Sequence, residues 1–284
     1  YKRQDLGGAS KFTNIQKTNS ENFIQCGISE ANMIGVGCGL SSEGFIPYVH
    51  TFGPFATRRV YDQIYLSGAY AHNTINIYGS DPGFTVGPNG GTHTTWEDVA
   101  LMREIPGSVI VDPCDETQTR WVVKELSKYE GVHYIRANRK NVRNVYIPDS
   151  TFELGKGNVL REGKDILIIV SGQLVSDALD CAEKLVEEGY SVEVIDMYCI
   201  KPLDIDLVLS ESKGKKAVVT FENHSIYGGL GSAVVEVLME NGVNVPFKRH
   251  GVDERFGQVG TPDFLQKEFH LTADDLYKTV KSML

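Results

Sequence analysis

The sequence Asp165-Ile-Leu-Ile-Ile-Val170 precedes a helical segment, Ser176–Glu188, which is followed by Ser191-Val-Glu-Val-Ile-Asp196. The first and last pieces are short, largely apolar and rich in β-branched residues, which is typical of buried strands. In the middle piece apolar residues recur at helical spacing, and Gly189 stands where a C-terminal cap belongs. The stretch therefore predicts a strand–helix–strand unit with parallel strands.

The same alternation continues along the rest of the chain. Further strands are predicted at Asn73–Tyr78, Ser108–Val111, His133–Arg136 and Ala217–Phe221, and further helices at Gly231–Asn241 and Asp274–Met283. Thr95–Asp98 and Asp115–Gln118 resemble helix capping boxes, and Gly242 stands at another predicted helix end. We expect an α/β protein of two domains, each a mainly parallel sheet flanked by helices.

A break between the domains is predicted in residues 140–164, which are rich in Asn, Gly, Pro and charge and lack sustained periodicity. We place the first domain at 1–145, a linker at 146–164 and the second domain at 165–284. The chain begins at Tyr1 rather than Met, so we expect the first domain to lack part of its N-terminus.

Composition and charge exclude several classes of function. A formal net charge of −9 argues against a broad nucleic-acid footprint and against binding to an anionic membrane. The longest apolar runs are too short to span a bilayer, and no secretory segment is present. The five cysteines are odd in number, scattered and without a Cys-x-x-Cys pair, which predicts reduced thiols in a cytoplasmic protein.

Glu30 is the acidic residue that stands out, because it opens a run of small and apolar residues from Ala31 to Leu40. A carboxylate in this position is expected to be buried without a partner, which would raise its pKa toward neutrality. The alternative is a glutamate favoured at a helix start by the helix dipole, with the glycines of the helix serving close packing.

Three other features could carry chemistry. Phe52 and Phe55 could stack on a planar heterocycle or could belong to the core. His93 lies in a glycine-rich loop between a strand and a helix, where open α/β sheets bind ligands, although a solvent-facing histidine is the alternative. His93 and Glu97 have no third ligand spaced to form a metal site. Arg139 could bind a phosphate or carboxylate, or form a surface salt bridge.

The order of these features is more specific than any one of them. Glu30 with its glycine-rich helix, Thr51-Phe-x-x-Phe55, Gly90-Gly-Thr-His93 and Arg139 are followed by Lys201-Pro-Leu-Asp204 and Gly228-Gly-Leu-Gly231. This order resembles the C-terminal portion of transketolases over nearly the whole chain, in particular the C-terminal subunit of split, two-gene transketolases. The resemblance implies a pyrimidine-binding domain, a transketolase C-terminal domain and thiamine diphosphate at a subunit interface. It also implies transfer of a two-carbon ketol unit from a ketose, expected to be a phosphate, to an aldose.

The resemblance assigns roles to individual residues. Glu30 would hydrogen-bond the aminopyrimidine ring, whose neighbouring nitrogen then removes the thiazolium C2 proton. Phe52, Phe55 and Arg58 would surround the pyrimidine, and His93 would contact the reacting sugar oxygens. The remaining assignments are Asp5 and Leu6 near the thiazolium, and Arg139, Asp81 and Asn89 toward the substrate.

Four positions depart from the family pattern. Ser29 stands where many members have arginine, and Arg58 stands where the family has an aromatic residue. Asp81 replaces a histidine at the phosphate end of the substrate, and Asn89 replaces an acidic residue that contacts sugar hydroxyls. The last two changes call the usual pentose and hexose phosphates into question, because the donors and acceptors facing the sugar differ.

The resemblance also implies a partner. The Gly-Asp-Gly segment with its following Asn, which holds the diphosphate and its metal in this class, does not occur in the sequence. We therefore expect an N-terminal subunit that carries this motif and holds Mg²⁺ or Ca²⁺, an α2β2 assembly, and no activity without that subunit. Three alternatives stay open: a deoxyxylulose-phosphate-synthase-like subunit, a 2-oxoacid dehydrogenase β-like subunit, and a catalytically silent regulatory partner.

Overall fold

The computed structural model describes residues 2–3 and 13–284. The strands in these ranges are β1 (Lys2–Arg3), β2 (Ile24–Gln25), β3 (Tyr48–Phe52), β4 (Ile75–Ser80), β5 (Val109–Val111), β6 (Val132–Ala137), β7 (Asn158–Arg161), β8 (Ile166–Val170), β9 (Val192–Asp196), β10 (Cys199–Lys201), β11 (Ala217–Ser225) and β12 (Phe247–Val252). The α-helices are α1 (Thr13–Thr18), α2 (Glu30–Ser42), α3 (Gly53–Ala56), α4 (Tyr61–Gln63), α5 (Asp98–Arg103), α6 (Glu116–Leu126), α7 (Val175–Glu187), α8 (Ile205–Ser212), α9 (Leu230–Glu240), α10 (Pro262–Glu268) and α11 (Ala273–Lys281).

The strands form two sheets. The first has the order β10-β5-β6-β4-β3-β1-β2 and the second the order β12-β11-β8-β9-β7. Neighbouring strands are parallel except at one edge of each sheet, where β10 is antiparallel to β5 and β7 is antiparallel to β9. Helices cover the sheets, so β8 and β9 are buried along their whole length, as expected of parallel strands in an α/β fold.

Helix α2 shows how the first sheet is covered. Met33, Ile34 and Cys38 are buried against the sheet. A Cβ at Gly37 would lie 2.9 Å from Ile75 Cδ1 and 3.2 Å from Val49 Cγ1, so glycine lets the helix approach β3 and β4 closely. This confirms the close-packing role predicted for a glycine of this helix.

The two sheets are joined by a buried ion network. Arg136 on β6 is fully buried and donates to Asp98 at 2.6 Å and to Asp112 at 2.8 Å. Its remaining nitrogen donates to the backbone oxygen of Asn223 on β11 at 3.0 Å. Asp98 begins α5, Asp112 directly follows β5 and Asn223 lies on β11, so one guanidinium ties these two parts of the first domain to the second sheet.

The expectations about the elements are confirmed, with one exception. Every strand and helix predicted above is present with ends shifted by a few residues, and Asp115 caps α6 by accepting from the Gln118 amide. Thr95 does not cap a helix, because α5 begins only at Asp98 and Thr95 is buried against Gly53. Within the described ranges, every helix is too short or too polar to cross a membrane.

Candidate active site

Three adjacent strands end at the same edge of the first sheet. Phe52 at the end of β3 is level with Ser80 on β4, and Ser80 is level with Ala137 on β6. The next residues along the chain bring Asp81 and Arg139 to this edge. The structure thus brings Phe52, Asp81 and Arg139 together at the carboxyl ends of parallel strands, which is where open α/β sheets bind ligands.

Glu30 is the first residue of α2 and is 5% exposed. Its Oε1 accepts a hydrogen bond from Arg59 Nη1 at 2.6 Å. The structure therefore corrects the expectation of a buried charge without a partner. Arg59 is half-exposed and its guanidinium lies 3.9 Å from the centroid of the Phe55 ring, a distance typical of a cation over an aromatic face.

Phe52, Phe55 and His93 form an aromatic cluster beside this ion pair. The His93 ring lies 5.3 Å from Phe52 and 4.9 Å from Phe55, in edge-to-face arrangements. Its Nδ1 is 2.9 Å from the Thr92 hydroxyl. Burial lowers the pKa of His93, and the nearby Arg59 charge lowers it further. The imidazole is therefore neutral at neutral pH and can both donate and accept a hydrogen bond.

The loop that carries His93 depends on glycines. Gly87 and Gly90 have φ values of 61° and 74°, in the left-handed region that glycine tolerates. A Cβ at Gly91 would overlap the carbonyl oxygen of Gly257, which belongs to the segment before α10. The second domain thus packs directly on the loop that carries His93.

Asp81 and Arg139 form an ion pair at the end of β4. Asp81 is fully buried and has a φ of 51°, and its amide donates to the Ala137 oxygen at 3.2 Å. Its Oδ1 accepts from the Arg139 amide at 3.3 Å, and its Oδ2 accepts from Arg139 Nε. The Arg139 guanidinium lies 4.7 Å from the centroid of the Phe52 ring, so this pair adjoins the aromatic cluster.

The other predicted site residues lie further from the cluster. Arg58 donates to Glu97 at 2.6 Å and to the Thr92 oxygen at 3.3 Å, so Glu97 is engaged by an arginine rather than by His93. Asn89 is exposed at the end of a short 3-10 segment, Gly83–Asn89. Asp5 and Leu6 lie outside the described residues.

Sequence reasoning missed Arg59 as a member of the site. Arg59 lies four residues after Phe55, but α3 ends at Ala56 and Thr57 is not helical, so helical spacing does not account for the contact between the two side chains.

Comparison with known proteins identifies the family of the chain. Residues 3–145 match the family described as "Transketolase, pyrimidine binding domain", and residues 155–276 match "Transketolase, C-terminal domain". The chain belongs to the transketolase family.

Individual transketolases are similar along most of their length. A 6-deoxy-6-sulfo-D-fructose transketolase subunit of Clostridium sp. MSTE9 is 43% identical over 96% of this chain and 85% of its own. One subunit of the apulose-4-phosphate transketolase of Phocaeicola vulgatus is 37% identical over 97% of this chain and 88% of its own. A solved split-gene transketolase, described as an inactive β4 tetramer, has a TM-score of 0.92 and 39% identity, covering 100% of this chain and 91% of that one. The chain therefore has the two transketolase domains and the fold that its sequence predicts.

Proposed function

We propose that this chain is the cofactor-activating subunit of a split, thiamine-diphosphate-dependent transketolase that moves a two-carbon ketol unit from a ketose to an aldose. The arrangement of Glu30, Arg59 and Phe55 carries the proposal. The planar guanidinium of Arg59 lies on the Phe55 ring and donates a hydrogen bond to the buried Glu30 carboxylate. An aminopyrimidine ring has the same flat face and polar edge, so these residues fit the cofactor.

Each residue of the site has a distinct task in this proposal. Bound thiamine diphosphate supplies the carbanion chemistry that ketol transfer requires. With the cofactor bound, Glu30 would share a proton with the pyrimidine ring nitrogen, and Phe52 and Phe55 would hold the ring in place. His93, as a neutral imidazole, exchanges hydrogen bonds with the sugar oxygens, and Arg139 positions an acidic group at the far end of the ketose.

A second subunit completes the proposed enzyme. We infer that it carries the Gly-Asp-Gly motif, holds the diphosphate with Mg²⁺ or Ca²⁺, and joins this chain in an α2β2 assembly. Relatives that are themselves named as transketolase subunits support this inference, as does the solved relative described as an inactive tetramer of β chains. None of the five cysteines, all in the described part of the chain, forms a disulfide, which supports a cytoplasmic location.

The substrate is proposed to be a ketose with an acidic far end. The names of two relatives mention such sugars, one a sulfonate and the other a phosphate. The Arg139 guanidinium beside Phe52 is the group that would bind that end. Asp81, Asn89 and the exposed Arg58 remain proposed contacts for the substrate and the cofactor.

The test is reconstitution with the partner subunit. We expect thiamine-dependent ketol transfer by the complex, measured over a panel of phosphorylated, sulfonated and free ketoses. Glu30→Ala should lower turnover by at least about 100-fold, because the general acid–base group is lost, while subunit assembly measured by light scattering stays intact.

Glu43→Ala is the matched control, since Glu43 is an exposed glutamate at the other end of α2. Full turnover in Glu30→Ala would remove Glu30 from the mechanism. A wild-type complex that binds the cofactor and yet transfers no ketose of the panel would identify the chain as a silent regulatory subunit.

A further inference from the structure

The Asp81–Arg139 pair has a charge balance that bears on substrate choice. Arg139 uses its backbone amide and Nε for Asp81, and within the described part of the chain its two Nη groups donate to no other residue. The side chain is mostly buried and lies against Phe52. Asp81 therefore orients the guanidinium, and the two Nη groups remain as a fork for an oxyanion.

The same carboxylate limits how much negative charge the fork can accept. Burial raises the pKa of Asp81, whereas the charge and hydrogen bonds of Arg139 and the charge of the exposed Lys140 lower it. As an ion pair, Arg139 and Asp81 carry no net charge. Asp81 is fully buried, so its charge acts through a medium that screens it less than water does. An incoming dianion would meet this carboxylate at close range, whereas a monoanion in the same place would be repelled less strongly because it carries less charge.

Two acidic groups of similar shape differ in this respect. A sulfonate carries one negative charge over the whole physiological pH range. A phosphate monoester carries about −1.5 to −2 at pH 7, because its second pKa is about 6. Building on the proposed function, we propose that the Asp81–Arg139 pair is a specificity determinant that favours a ketose ending in a sulfonate over one ending in a phosphate.

The experiment compares three ketoses in the complex reconstituted with its partner: fructose 6-phosphate, 6-deoxy-6-sulfofructose and fructose. At pH 7.5 we expect kcat/KM for the sulfonate to exceed that for the phosphate by at least about tenfold, since like charges placed together are costly. Lowering the pH to 5.5 should narrow this ratio, because the phosphate gains a proton and the sulfonate does not.

Asp81→Asn is the decisive variant. Asparagine tolerates the left-handed backbone of this position and keeps an acceptor for Arg139 Nε, so only the charge is removed. The sulfonate-to-phosphate ratio should fall toward one and lose most of its pH dependence. In Arg139→Ala both acidic ketoses should drop to the level of fructose.

Calorimetric binding of the three ketoses separates this proposal from the proposed function. A binding preference for the sulfonate without any transfer would count against the transketolase activity and for the role of Asp81. Equal kcat/KM and equal affinity for sulfonate and phosphate in the wild type would overturn the inference. An unchanged ratio in Asp81→Asn would overturn it as well.

Discussion

At the scale of single residues, Arg59 changes how the site is understood. Its guanidinium donates a hydrogen bond to Oε1 of Glu30 and covers one face of the Phe55 ring. Those are the two surfaces that an aminopyrimidine ring would use in the proposed function. Cofactor binding therefore requires Arg59 to move, and the free energy of moving it reduces the apparent affinity of the site.

We expect Arg59→Ala to bind thiamine diphosphate about three- to tenfold more tightly in the complex, because no guanidinium has to be displaced. A fluorescence titration with thiamine diphosphate measures the dissociation constant of each variant. Arg59→Lys is the control, since it keeps the charge but not the planar group. Weaker binding by Arg59→Ala would instead make Arg59 a ligand of the cofactor.

The sequence nominates candidate residues for the proposed site, but it does not predict which side chains those residues contact. Glu30, Phe52, Phe55 and His93 stand in recognisable local patterns, and the structure brings them near one another. The ion pair between Glu30 and Arg59 joins residues far apart in the chain. No local pattern specifies such a pair, because it depends on how α2 lies beside the segment after β3.

At the scale of elements, local periodicity predicts strands and helices well and long-range pairing poorly. Strands β8 and β9 are recognisable because each is a short apolar run bounded by helical or turn segments. Strand β10 is only three residues long, and its antiparallel pairing with β5 has no signal in Cys199–Lys201. The hydroxyl of Thr95 suggests a cap, but tertiary packing against Gly53 determines its position.

The loop that carries His93 offers a test at this scale. Gly91→Ala places a methyl group on the Gly257 carbonyl, so the loop must shift and carry His93 with it. We expect roughly a ten- to hundredfold loss in kcat/KM, since small displacements of catalytic groups are costly. Steady-state kinetics measure the loss in kcat/KM, and thermal melting shows whether the variant is still folded.

Gly39→Ala serves as the control for that substitution. Gly39 is helical and exposed, and a Cβ added there would meet no atom within 4 Å. Alanine there should stabilise the protein by about 0.5–1 kcal/mol and leave transfer intact. Normal kinetics in Gly91→Ala would mean that the loop does not position His93.

At the scale of the whole molecule, the two domains share buried polar groups. Asp196 at the end of β9 accepts from Gln118 on α6 at 2.7 Å and from the Tyr146 hydroxyl at 2.6 Å. Burial raises the pKa of Asp196 to about 7, although both hydrogen bonds oppose the shift. The folded protein therefore retains a proton that the unfolded chain releases near pH 4.

This proton makes stability depend on pH in a definite direction. Between about pH 4 and 7 the native state binds the extra proton, so the contribution of Asp196 to stability falls as the pH rises and is lost above 7. In Asp196→Asn the carboxyl group is replaced by an amide, which does not titrate in this pH range. We expect its free energy of unfolding to exceed that of the wild type by roughly 1–3 kcal/mol at pH 8 and by less at pH 5. Urea unfolding of both proteins at both pH values measures these free energies. The same difference between variant and wild type at pH 5 and at pH 8 would contradict the prediction.

Strand β10 has a consequence for how the chain is made. It belongs to the second half of the sequence but completes an edge of the first sheet beside β5. While the ribosome is still synthesising the residues before Lys201, β5 is an open edge with unpaired backbone groups, which is a template for unwanted association. The first domain can therefore begin to fold early, but its strand β5 stays unpaired at that edge until the start of the second domain, through Lys201, has emerged from the ribosome.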